Sequence, residues 1–172
     1  MLHPCFHADD ELLAQCETIR QRRSGPGGQH RNKVETAIRL LHKTTGLTAQ
    51  ASERRSQADN LKQALFRLRL ELAIHHRTER DLDQLSKQLE KSEMWKKRRR
   101  GGKISINSVH LDYPAMLADV MDCLSVVDWD HRQAAEILQL SSSQLIKFLK
   151  REPRSLSLLN QQRQMVGLNP LS

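Results

Sequence analysis

Three glycines and a proline crowd into Gly25-Pro26-Gly27-Gly28, and no helix or strand can run through them. Glycine lets the backbone take φ > 0 and bares it of side chains, while proline fixes φ and removes a donor. Ser24–Gly28 is therefore a loop, and the residues on either side belong to different elements. Upstream, Asp9 or Asp10 caps a short helix through Leu13, and Cys16–Arg23 reads as a short strand of weak alternation. Downstream, Thr36–His42 and Leu47–Ser52 read as strands joined by a turn at Thr44-Thr45-Gly46. Ser56-Gln57-Ala58-Asp59 then matches a capping box, and Leu61, Leu65, Leu68 and Leu72 behind it make one apolar helical stripe. Leu82, Leu85 and Leu89 extend that helix or form a second one packed on it.

The expected fold class is α+β. A small antiparallel sheet with a packed helix carries the glycine loop over residues 1–93. A basic linker follows at 94–110, then an all-α module over 111–172. In that module Leu117, Val120, Met121, Leu124 and Val127 form a stripe entered at Tyr113-Pro114. His131–Leu140 and Ser141–Lys150 read as two further helices, the second capped by Ser141 or Ser142. Pro153 stops that helix and starts a last one that ends near Gly167. The run AAEILQLSSSQLIKFLK has the composition of a helix–turn–helix pair.

Charge points to the partner. The formal net charge is +8, and its distribution is uneven. From Thr18 to Ser52 the only acid is Glu35, whereas Asp112–Glu136 carries six acids against Arg132 alone. A nucleic-acid face and a separate body would show this asymmetry. Only 3% of residues are aromatic, which disfavours recognition by base stacking and favours contacts to phosphate and folded RNA. Cys5, Cys16 and Cys123 are odd in number and widely spaced, so a disulfide framework is not expected. With no transmembrane run and no secretory pattern in the first ten residues, the expectation is a cytoplasmic monomer without a membrane partner.

The loop suits insertion into a crowded anionic cavity. Arg22 and Arg23 precede it, Arg31 and Lys33 follow it, and Gly27 and Gly28 leave bare backbone beside Gln29. Gln29 offers a backbone N–H and a side chain that donates and accepts without titrating. The stretch RSGPGGQHRNKVETAIRL, followed by TGLTAQASERRSQADN, resembles the catalytic domain of class I peptide-chain release factors. It is closer still to their short, codon-independent relatives that rescue stalled ribosomes. The resemblance covers about Cys16–Leu72 and consists of two motifs at the family's separation. It implies that the chain hydrolyses peptidyl-tRNA in the peptidyl-transferase centre, with large-subunit rRNA and P-site peptidyl-tRNA as partners. By the same resemblance Gln29 is catalytic through its backbone N–H, and Gly27 and Gly28 supply the geometry. The glutamine is a candidate substrate of a methyltransferase, and neither metal nor cofactor is implied. Pro26 replaces the commoner alanine, and Arg31 stands where a small apolar residue is more usual. Release factors that read stop codons carry a separate domain for that task, and this chain is expected to lack one.

Further candidates lie outside the loop. Arg54 and Arg55 fall in the second motif, where contact to rRNA is compatible with helix capping by Ser56. Lys96, Lys97, Arg98, Arg99 and Arg100 form a basic run that can thread along rRNA or stand as a solvated linker. His3, Cys5 and His7 sketch a metal site, but no second ligand pair follows, so an unligated segment is expected. His30 beside Gln29 has at most a supporting role. The alternative to an enzyme is a non-catalytic RNA- or DNA-binding regulatory protein. Against DNA, the helix in the recognition position offers only Gln144, Lys147 and Lys150.

Overall fold

Strands β1 (Cys16–Gln21), β2 (Ala37–His42) and β3 (Thr48–Ala51) form an antiparallel sheet in the order β1-β2-β3. The structure, a computed structural model, describes residues 2–21, 36–79 and 81–172. The chain divides into two compact units, Leu2–Leu72 and Ala73–Ser172. The architecture is α+β.

In the first unit, alternation decides which sheet face is buried. Ile38 and Leu40 of β2 lie opposite Ala51 and Ala49 of β3, and all four are buried. Burying a leucine or isoleucine side chain contributes roughly 1.5–3 kcal/mol, so a one-residue slip would expose this whole set. The β2–β3 turn closes through the Gly46 N–H, which donates to the His42 carbonyl at 2.8 Å. Gly46 has φ 72°, a left-handed conformation that glycine adopts without strain.

Two helices complete this unit. Helix α1 (Asp9–Ala14) precedes β1, after a 3-10 turn at Pro4–Phe6. Helix α2 (Gln57–His75) begins where the capping pattern predicts, with Ser56 Oγ accepting from the Asp59 N–H at 3.2 Å. Its Leu65, Leu68 and Leu72 are buried, and the Arg67 guanidinium bonds the Gln50 carbonyl of β3 at 2.7 Å. Arg69 reaches the carbonyls of Cys5 and His7 and the carboxylate of Asp9, holding the N-terminal segment to the helix.

At the start of the second unit the structure decides between the two readings of Leu82, Leu85 and Leu89: helix α2 ends at His75, and they lie on a separate helix. The Arg77 guanidinium bonds the carbonyls of Ala73 (2.7 Å) and Ile74 in the last turn of α2. The buried carboxylate of Asp122 then takes the Thr78 N–H at 3.2 Å. A new helix α3 (Leu82–Lys91) starts with Asp81 as its cap, followed by α4 (Glu93–Arg98) capped by Ser92.

Residues 94–110, read from sequence as a linker, carry most of α4 and the hairpin β4 (Arg99–Arg100) and β5 (Lys103–Ile104). Gly101 and Gly102 have φ 54° and 70°. Two consecutive left-handed residues are what a two-residue hairpin turn matching the twist of its strands requires. Trp95 is fully buried, and its Nε1 donates to Asp119 Oδ2 at 2.8 Å.

That aspartate sits on α5 (Tyr113–Val126), whose residues from Tyr113 to Leu124 are all buried. A helix buried on every side is the core of its unit. Around it come α6 (His131–Ile137), α7 (Ser142–Leu149) and α8 (Pro153–Met165).

Candidate functional site

Gly27, Gly28 and Gln29, together with Arg22, Arg23, Arg31 and Lys33, lie outside the described residues. So does His30. What is described is the mounting of that segment. Gln21, the last residue of β1, pairs with Ala37, the first of β2. The two ends of the glycine segment are thereby held side by side at one end of the sheet. Six antiparallel partners from Cys16↔His42 to Gln21↔Ala37 set this position.

A second clamp comes from Asn60, in the first turn of α2. Its side chain is buried, and its amide nitrogen donates to the carbonyls of Thr36 (2.6 Å) and Arg54 (2.9 Å). Its amide oxygen accepts from the Arg54 N–H at 2.9 Å. Two acceptors on one side and one donor on the other fix which way the amide points. One side chain thus joins Thr36, where the chain returns from the glycine segment, to the loop 52–56 that holds Arg54 and Arg55. Sequence reasoning missed this role. The signal was an asparagine inside a helix, where its propensity is poor.

The same loop is held from its other side. Glu53 Oε1 takes the Arg67 guanidinium at 2.8 Å, while Glu53 Oε2 accepts the Ser52 N–H at 3.0 Å. The hydrogen bond from Arg67 holds the Glu53 carboxyl below the usual carboxylate range. Arg54 and Arg55, bracketed by these contacts, are both exposed. Backbone and acid are fixed; the two guanidinium groups face solvent.

The basic run divides by role. Lys96 pairs with Glu93 at 2.7 Å. Arg98 bonds Asp112 at 3.0 Å and lies 2.6 Å from His110 Nε2. Arg99 donates to the Leu138 carbonyl at 2.9 Å, satisfying the C-terminal end of α6. Lys97 and Arg100 are exposed. Within one run, then, two arginines brace the fold, and a lysine and an arginine stand in solvent.

The acidic stretch is also largely engaged. Asp119 accepts from Trp95 and Gln88, Asp122 from Arg77 and Thr78, and Asp130 caps α6. At the N-terminus, His3 Nδ1 accepts the Cys5 N–H (3.1 Å), the Cys5 thiol donates to the Arg69 carbonyl (3.1 Å), and His7 meets Gln15 (2.6 Å). These three side chains face different partners. Among the described residues no cluster of three or more His, Cys, Asp or Glu is placed to hold a metal ion. Nor is any helix among them long and apolar enough to cross a membrane.

Comparison with known proteins agrees with this frame. The RF-1 domain family matches residues 13–110. Peptide chain release factor PrfB1, chloroplastic, of Arabidopsis thaliana is 47% identical over 53 residues, 31% of this chain and 12% of that protein. Peptide chain release factor 2 of Thermomicrobium roseum is 40% identical over 82 residues, 44% of this chain and 22% of the relative. Peptide chain release factor 1 of Delftia acidovorans is 43% identical over 60 residues, 35% and 17% of the two chains. The matched stretch thus spans less than a quarter of each of these relatives. No solved structure matches the chain. With the matched residues covering more than half of the chain and enclosing Gly27-Gly28-Gln29, this protein belongs to the RF-1 domain family and is class I release factor-like.

Proposed function

We propose that the chain hydrolyses the ester between nascent peptide and tRNA in the ribosomal peptidyl-transferase centre, without reading a stop codon. The observation that carries this is the pairing of Gln21 with Ala37, which flank in sequence a Gly-Gly-Gln segment inside the family match. A rigid sheet end is a suitable base for a segment that must enter a narrow cavity.

In this reading the Gln29 backbone N–H donates to the oxygen of the ester carbonyl as charge develops on it, and water attacks the carbonyl carbon. The bond to the terminal ribose oxygen then breaks. The peptide leaves as an acid, and the tRNA regains its hydroxyl. A fixed donor aimed at a developing oxyanion contributes about 10²–10³ in rate. Gly27 and Gly28 leave the backbone free to present that donor. The ribosome supplies the remaining surroundings.

Arg22, Arg23, Arg31, Lys33, Arg54 and Arg55 are proposed rRNA contacts, as are Lys96, Lys97, Arg98, Arg99 and Arg100. Exposure favours Arg54, Arg55, Lys97 and Arg100 for the larger share. Gln29 is the proposed substrate of a glutamine methyltransferase. The chain is proposed to act as a cytoplasmic monomer, with residues 1–93 as its catalytic part.

The test is peptide release from purified ribosomes stalled without a stop codon. Wild type should release, and Gly28→Ala should lose about 10²-fold or more of that rate. Equal release by both variants, or release only with a stop codon in the A site, would overturn the proposal. Ribosome binding with no release by wild type would favour a non-catalytic RNA- or DNA-binding protein instead.

A further inference from the structure

Beyond β5 the second unit forms an open pocket of about 640 Å³ that release chemistry does not use. Ser105, Asn107, Ser108 and His110 line it, with Arg98 from α4 and Arg151 just past α7. Buried Ile104 and Ile106 complete the lining.

The two arginines differ in state. Asp112 neutralises Arg98 through bonds of 3.2 and 3.0 Å from Nε and Nη2. Arg151 makes no ion pair with any described residue, and its Nη1 is buried without a hydrogen-bond acceptor. The neighbouring acid, Glu152, pairs with Arg154 at 2.8 Å. Arg151 thus brings to the pocket lining a half-buried guanidinium with no carboxylate partner among the described residues.

The ligand chemistry follows from the donors. Arginines and serines from separate parts of the chain line the pocket, a donor set that suits a tetrahedral anion with several acceptor oxygens. Next to His110 in the chain, Val109 and Leu111 are 75% and 80% exposed. Along the chain, Lys97, Arg100 and Lys103 of the adjoining α4–β5 segment are exposed, giving a polyanion further cations to follow.

We propose that this pocket binds a phosphate group of an RNA chain, with Arg151 as its principal cation. Such binding would stand whether or not Gln29 catalyses release, and it is measurable without ribosomes.

The full chain is titrated with inorganic phosphate at constant ionic strength while the backbone amides of residues 105–110 are followed by NMR. In parallel, affinity for a short RNA duplex is measured by fluorescence anisotropy for wild type, Arg151→Gln and Arg151→Lys. Phosphate should shift the wild-type amides saturably. Arg151→Gln should abolish that shift and weaken the RNA duplex about tenfold, and Arg151→Lys should retain part of both. Loss of the phosphate shift with unchanged RNA affinity would keep the phosphate site and reject RNA as its source. No shift in wild type would overturn the proposal, as would an undiminished shift in folded Arg151→Gln. The wild-type titration decides this even if a variant fails to fold.

Discussion

Asn60 carries more of the site's geometry than any charged residue described. Three hydrogen bonds leave its amide, all to backbone, and they tie together two segments of chain 18 residues apart, at Thr36 and Arg54. Asn60→Ala would strand two carbonyls and one N–H in a buried place, and a loss of about 2 kcal/mol or more is expected. Asn60→Asp should do no better, because its carboxylate would face the carbonyl oxygens of Thr36 and Arg54. Urea unfolding of the three proteins checks this, and curves that coincide would refute it. A second readout belongs to the proposed activity: in the release assay any folded Asn60 variant should be slower than wild type, since Thr36 and the Arg54 loop lose their common anchor.

Among the elements, α6 ends in a way that can be improved. The Gln139 N–H bonds the Glu136 carbonyl (2.9 Å) and the Leu140 N–H bonds the Ala135 carbonyl (2.8 Å), the paired closure of a Schellman motif. Gln139 takes φ 53° there, a place where glycine is unstrained. Gln139→Gly should therefore stabilise the protein by about 1 kcal/mol, visible as a higher midpoint in thermal unfolding. Elements of this kind show how far the sequence was legible. Local chemistry was enough for the hairpin of β2 and β3, for the Ser56 cap and for the turn at Gly46, because each depends on residues within a few positions. The Gly101-Gly102 hairpin carried an equally local signal that the surrounding positive charge obscured. What stayed hidden were pairings across long stretches, such as Trp95 with Asp119 and Arg77 with Asp122. Those pairings end α2 at His75 and fold the apparent linker, and no periodicity announces them. The glycine segment is the reverse case: it lies outside the described residues, so its reading rests on residue types and family likeness alone.

For the molecule as a whole, charge is less divided than the sequence suggests, since many of the acids between Asp112 and Glu136 serve as internal acceptors. Its acid sensitivity should come from histidine as well as from carboxylates. Burial, and then the Arg163 guanidinium, holds His131 below its ordinary value of 6.5, and burial first does the same to His76. The unfolded chain therefore binds more protons than the folded one just below that value. This contribution is fully present above about pH 6.5 and is lost as pH falls through the lowered folded values. Asp130, lowered chiefly by the Arg132 N–H, and Glu53, lowered chiefly by Arg67, lose theirs only in the more acid carboxylate range. A melting series from about pH 7.5 to 5.5 should show falling stability, with a shallower slope in His131→Gln; equal slopes would count against it. The sheet has a different kind of consequence. Because Gln21 and Ala37 are strand partners, the chain between them closes on a fixed gap, whatever its length. Doubling such a connection adds only about 0.6 kcal/mol of closure entropy. Reach can therefore be altered by insertion or deletion while the core keeps its register, making this fold a socket into which segments of different length can be fitted.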